Sequence, residues 1–251
     1  MKWIKIADPH FDKEDKRKIF KEFDKILNSQ LSMGLNVKKF ENEFLNYVNT
    51  KYAVAFNSCT SALEAALKAI NIKGFEVIIP SQSFIATAMS IYLSGGTPVF
   101  AEVSKENNLA IDFNDLKLKT SKKTKAVIIV HINGFISKEI IKIKEFCKKK
   151  RIFLIEDAAH TPGASIYNKK AGEFGDAACF SFYPTKIITS GEGGMLVTNN
   201  KKIYKYSRSY QLRGRDVNLS KEIYINPGRN VRMQEITALM GRVQLKKLKK
   251  L

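Results

Sequence analysis

Unbroken apolar runs of four or five residues recur in this chain, set between longer stretches whose apolar positions repeat at helical spacing. Residues 126–130, Ala-Val-Ile-Ile-Val, contain no polar member, and 152–155, Ile-Phe-Leu-Ile, run directly into Glu156 and Asp157. A strand with one wet face would alternate apolar with polar; a strand apolar throughout is buried on both faces, as in a parallel sheet covered by helices on either side. Strands are also expected over 52–56, 76–80 and 95–103. Ile19, Phe20, Phe23 and Ile26 lie on one face of a helix predicted over 13–27 and capped by Asp12, and Phe40, Phe44, Leu45 and Val48 on one over 37–48 capped by Asn36. Further helices are expected to open near Ser81 and after Asp112, and over 61–70, 138–149, 202–211 and 234–248. The fold class is α/β: a three-layer α/β/α arrangement with a mostly parallel sheet. At 251 residues the chain fits one such domain, or one with a fragment of another.

Parallel α/β sheets collect ligands at the carboxyl ends of their strands, and three stretches put reactive groups there. The 52–56 run stops at Asn57-Ser58-Cys59-Thr60, where a helix begins at once. The unpaired N–H groups and dipole of a first helical turn favour an anion, although Ser58 or Thr60 could equally be a plain helix cap. Asp157 ends the 152–155 run, where an ionised carboxylate needs a cationic partner; its alternative is again a cap, with His160 on the surface. Lys186 lies in Cys179-Phe-Ser181-Phe-Tyr-Pro184-Thr-Lys186, ahead of Gly191-Glu-Gly-Gly194 and another apolar run. That places it in a turn between two buried strands. Partial drying lowers a lysine's pKa and frees the neutral amine to attack a carbonyl, which is Schiff-base chemistry; an ordinary surface lysine is the alternative. Asp157, His160 and Ser181 do not make a hydrolase triad, since no Gly-x-Ser-x-Gly elbow is present. Gly191 and Gly193 precede a strand rather than a helix, against a dinucleotide loop.

Ser181 to Lys186 with Gly191 to Gly194 resembles the signature of the DegT-like sugar aminotransferases, pyridoxal-phosphate (PLP) enzymes of the aspartate aminotransferase fold. The resemblance extends from the first helices to Leu251. It implies that Lys186 is the Schiff-base lysine, that Ser58, Cys59 and Thr60 hold the cofactor phosphate, and that Ser181 also contacts the cofactor. It further implies that Phe84 stacks on the ring, Asp157 pairs with the ring nitrogen and His160 meets the 3-oxygen. Asn230, in Asn226-Pro-Gly228-Arg-Asn230-Val-Arg-Met233, is similar to an asparagine that reaches the phosphate of a neighbouring subunit, implying a homodimer with shared sites. Cys59 stands where glycine or alanine is usual, and Phe135 and Ile136 depart from the pair that relatives show. The implied function is transfer of an amino group from an amino acid, glutamate by resemblance, to a nucleotide-linked keto-sugar in surface-polysaccharide or amino-sugar biosynthesis. A sugar dehydratase of the same family and an inactive, truncated PLP-binding module are the alternatives; dehydratases with the best-defined change carry histidine in place of the lysine. Relatives continue into a smaller C-terminal domain, so 1–251 is expected to be a PLP-binding large domain that includes N-terminal helices over 12–48 and lacks the small one.

Composition trims the remaining classes. The net charge of +19 raises the possibility of a nucleic-acid partner, but the lysines recur on helical faces and are not interleaved with aromatics as in single-strand binders. No nucleic-acid or membrane partner is expected. Cys59, Cys147 and Cys179 are odd in number and widely spaced, and His10, His131 and His160 are scattered, so neither a disulfide framework nor a metal site is expected. The N-terminus lacks a signal-peptide core and no apolar run reaches membrane-span length, which gives a cytoplasmic expectation.

Overall fold

Each unbroken apolar run is a strand. In the computed structural model, which describes residues 9–107, 109–217, 219 and 221–248, seven strands make one sheet. They are β1 (Tyr52–Phe56), β2 (Glu76–Pro80), β3 (Thr97–Ala101), β4 (Thr124–Val130), β5 (Phe153–Asp157), β6 (Ala177–Ser181) and β7 (Gly194–Thr198). Their spatial order is β1-β7-β6-β5-β4-β2-β3. The run from β6 to β3 is parallel throughout, and β7 is antiparallel to both β6 and β1. The stretch 95–103, expected as one strand, breaks at Glu102: Val103–Ser104 turns away to pair with Ala110–Ile111 in a small ribbon.

The helices are α1 (Lys13–Leu27), α2 (Leu35–Val48), α3 (Cys59–Ala69), α4 (Ile85–Leu93), α5 (Phe113–Lys119), α6 (Ile140–Lys150), α7 (Lys201–Tyr210) and α8 (Glu235–Lys247). Because side chains alternate across a strand, β4 feeds two cores. Val127 and Ile129 belong to the core that holds Phe40 and Phe44 of α2 and Ile140 and Ile143 of α6, while Ala126 and Ile128 belong to the one that holds Leu63 and Leu67 of α3 and Ile203 of α7. This is the three-layer α/β/α fold expected. Among the described residues no helix is long and apolar enough to cross a membrane.

Two local readings are corrected. Asn36 does not cap α2: the helix starts two residues earlier than expected, at Leu35 after Gly34, which offers no side-chain bond. The cap comes from Glu235 at the start of α8, whose carboxylate accepts from the N–H of Asn36 at 2.7 Å and of Val37 at 2.9 Å. A negative group there also suits the helix dipole. Asn36 Oδ1 instead accepts from Arg242 at 2.7 Å. On α1 the apolar face is only partly used: Ile26 is buried against Leu239 and Val243 of α8, with Ile19 beside it, whereas Phe20 is 73% exposed.

Register brings the reactive ends together. Val130 pairs with Asp157, Asp157 with Cys179, and Ser181 and Phe56 both with Gly194. The carboxyl ends of β1, β4, β5 and β6 therefore lie side by side. The chain leaves β6 there, loops through 182–193 and returns down β7.

Candidate functional site

At the end of β1, Ser58 takes an extended backbone and caps α3, its Oγ accepting from Ser61 N at 3.1 Å. Ser61 Oγ in turn donates to Asn57 Oδ1 at 2.8 Å. The next two N–H groups, of Cys59 and Thr60, have no acceptor among the described residues and belong to residues lining a cavity. The hydroxyl of Ser58 caps, as one reading of the sequence had it, and leaves the two N–H groups after it unpaired among the described residues. The turn sits tightly on β7, since a Cβ at Gly194 would lie 2.3 Å from the carbonyl carbon of Ser58 and 2.4 Å from the nitrogen of Cys59. Burial, with Asp157 and Cys179 adding, pushes the Cys59 thiol well up, so it stays neutral.

The two carboxylates ending β5 separate by strand alternation. Glu156 is fully buried and accepts from the N–H groups of Gly172, Phe174 and Gly175 at 2.8, 2.9 and 2.7 Å. Its Oε2 is also 3.0 Å from His131 Nε2. With three donors already on the carboxylate, His131 Nε2 is the donor in this pair, and Glu156 ties the 172–175 turn to the sheet end. Asp157 faces the cavity instead. It is 5% exposed, accepts from Thr87 Oγ1 of α4 at 2.7 Å and from Ala159 N at 3.2 Å, and makes no ion pair among the described residues. A buried carboxylate with neutral donors alone and a cavity beside it has room for a cationic partner.

His160, one turn on, is fixed through Nδ1, which accepts from Asn133 N at 3.2 Å. The short turn Ile132–Gly134, with Asn133 in the left-handed region, thereby sets the tautomer: the neutral ring carries its proton on Nε2. Burial, then the charge of Lys186, lowers the His160 pKa against the opposing pull of Asp157. The loop 132–136, where Phe135 and Ile136 depart from the pair that relatives show, thus serves through Asn133 to orient this histidine.

Lys186 projects from the loop between β6 and β7, which is pinned at both ends. Phe182 N donates to Gly193 O at 3.0 Å, Ser190 N to Phe182 O at 2.9 Å, and Thr189 Oγ1 to the same carbonyl at 2.9 Å. Phe182 and Ile188 are buried in the α2-side core; the Phe182 ring packs on Phe40 and Phe44 at centroid distances of 5.0 and 5.5 Å. Burial depresses the Lys186 pKa, with Cys59 and Asp157 opposing.

Ser58, Cys59, Thr60, Phe84, Asp157, His160, Ser181 and Lys186 all line one cavity of about 390 Å³. Phe84 stands at the N-cap of α4 and is 72% exposed, outside the core. Asn230 is apart from this cavity: it is exposed, on the loop before α8, bridged to Leu212. Sequence reasoning passed over Thr87 and His131. The signal for His131 was a polar residue directly after an apolar run; Thr87, buried in α4, is marked only by its contact.

Free N–H groups, an exposed aromatic face, a buried carboxylate awaiting a cation and an amine with depressed basicity suit a flat, anionic ring with a protonated nitrogen. These groups lie together at the carboxyl ends of the sheet. The chain belongs to the DegT/DnrJ/EryC1/StrS aminotransferase family, which it matches over residues 13–251, and the enzymes of that family are PLP-dependent. It is 37% identical over 222 residues to the GDP-perosamine synthase of Vibrio cholerae, covering 88% of this chain and 59% of that protein. Among solved structures it is similar to Helicobacter pylori PseC, an aminotransferase involved in the biosynthesis of pseudoaminic acid, with a TM-score of 0.89, 33% identity and coverage of 100% of this chain and 67% of that one. It is also similar to NtdA of Bacillus subtilis with its cofactor PMP bound, with a TM-score of 0.88, 26% identity and coverage of 96% and 55%. The chain spans less than two thirds of the length of the first curated relatives it matches.

Proposed function

We propose that the chain is the cofactor-binding large domain of a PLP-dependent aminotransferase that moves an amino group from an amino acid, glutamate by family resemblance, to a nucleotide-linked keto-sugar. The observation carrying this reading is the convergence of Lys186, with its depressed pKa, and Asp157, without a counter-ion, on the cavity that the free N–H groups of Cys59 and Thr60 also face. Bound there, PLP supplies a carbonyl for the lysine and a ring that withdraws electrons. Lys186 Nζ would hold the cofactor as the nucleophile toward that carbonyl and, as a free neutral amine, would be the base for the proton on the donor Cα. Asp157 would hold the proton of the ring nitrogen in place. His160 Nε2–H would donate to the ring oxygen, Phe84 would cover a ring face, Ser181 would contact the cofactor, and the Ser58 to Thr60 turn would take the phosphate. Glu156 and His131 brace the strand ends behind them. The relatives' names as a GDP-perosamine synthase and a pseudoaminic acid enzyme support a nucleotide-linked sugar acceptor, in surface-polysaccharide or amino-sugar biosynthesis. Asn230, outside its own chain's cavity, supports a homodimer in which it completes the partner's site, and the protein is assigned to the cytoplasm.

The test is absorbance of the purified chain with PLP, beside Lys186→Ala, before and after glutamate. A visible band that the variant lacks, and that glutamate converts, is expected. A band that forms but resists glutamate sinks the transamination reading for this length of chain, and no band at all sinks the site.

A further inference from the structure

The amino end of the sheet, opposite the cavity, carries a concentration of charge that the site does not use. Residues 117–125 hold five lysines and no acid, and 144–151 hold four lysines, Arg151 and the single acid Glu145. The two segments meet across a hollow lined by Lys122, Thr124, Lys150 and Ile152, beside the start of β4. Eight of these ten cations are exposed, and among the described residues none makes an ion pair. A helix C-terminus gains from a cation or two; the end of α6 alone has four in a row, from Lys148 to Arg151. In the midst of the first segment, between Lys117 and Lys119, Leu118 is 81% exposed, more than any other large apolar side chain described.

We propose that this face docks on an anionic lipid bilayer. A polybasic surface flanking an exposed apolar side chain is the pairing that holds a protein reversibly on a charged membrane: lysines snorkel to the headgroups while the leucine enters the interface. A nucleic acid fits less well. The aromatics beside the patch are engaged, Phe113 edge-on to Phe146 and both Phe75 and Phe153 under Lys125 at 5.2 and 5.9 Å, which leaves little ring surface to stack on a base. Nine of the ten cations are lysines, point charges without the fork of arginine that reads phosphates and bases. The expectation of no membrane partner rests on the absence of an apolar span, and a peripheral charged face needs none. Strands of five to seven residues, at about 3.3 Å per residue, separate this face from the cavity, whose mouth therefore stays open to water-borne anionic substrates.

The test is co-sedimentation of the full chain with vesicles of neutral phosphatidylcholine or of an equimolar phosphatidylcholine and phosphatidylglycerol mixture. Binding to the anionic vesicles alone is expected, lost as salt rises to about 0.5 M, where screening is nearly complete. The triple change Lys148→Gln, Lys149→Gln, Lys150→Gln lowers the partition coefficient by about two orders of magnitude, since each basic residue near such a surface contributes roughly fivefold. Leu118→Ser weakens it a further few-fold. An equal charge change on α7, with Lys201, Lys202 and Lys205 made Gln, leaves it within twofold of the parent. No partition into anionic vesicles, equal loss in the α7 variant, or tighter binding to transfer RNA at the same salt would each overturn the proposal.

Discussion

Asp157 shows how a residue's chemistry is set by what its sequence neighbours do. The apolar run before it is legible and fixes it at a strand end, but Thr87, which fixes its orientation, lies 70 positions away. Nothing in the local sequence separates a threonine that bonds a carboxylate from one that merely fills a helix, so this positioning residue required the fold. A hydrogen bond to a charged acceptor contributes about 1.5–3 kcal/mol. Thr87→Val, which keeps the shape and removes the donor, is therefore expected to raise the dissociation constant for PLP about 10- to 100-fold, and Thr87→Ser to restore most of the loss. Absorbance titration with PLP reads this directly; a valine variant that binds like the parent removes Thr87 from the site. Lys186 was legible for the opposite reason: the apolar segments on both sides and its glycine cluster are contiguous with it in sequence.

At the level of elements, strands were read closely because a run buried on both faces announces itself, while helix ends were read less well. The α2 terminus depends on Glu235, a contact across 199 positions that no capping rule reaches. The glycines after Lys186 were legible as a turn, yet only the packing distinguishes them. Gly191 has φ +82° with open space around its missing side chain, whereas Gly194 is pressed onto the backbone of Ser58 and Cys59. An alanine at Gly191 meets a conformational penalty of about 1–2 kcal/mol and nothing else. Alanine at Gly194 forces two backbones apart, with an overpacking cost of about 1–3 kcal/mol, and drags the anion-binding turn with it. Thermal melting and PLP titration of the two variants should show stability alone reduced at 191 and both stability and affinity reduced at 194. Unchanged affinity for Gly194→Ala would falsify the coupling between β7 and the turn.

For the molecule as a whole, the exposed position of Asn230 bears on assembly. If each site draws Lys186 from one protomer and Asn230 from its partner, mixing Lys186→Ala with Asn230→Ala chains creates intact sites that neither variant has. Random reassortment into dimers gives about a quarter of the parent's site content, read as the PLP absorbance that survives dialysis; no recovery on mixing means the sites are not shared. The sheet order has a different consequence, for the ribosome rather than for the finished protein. Among the described residues β1 pairs with β7 and with no other strand, so the first strand of the sheet waits for the seventh. Until residue 198 has emerged, β6 presents an open edge and the Ser58 turn has no sheet to rest on. An unpaired edge in a half-made domain is the form most prone to sticking to its neighbours. The strand that closes the sheet also seats the Ser58 turn, so a nascent chain gains its protection from aggregation and the turn proposed to take the cofactor phosphate in the same step of synthesis.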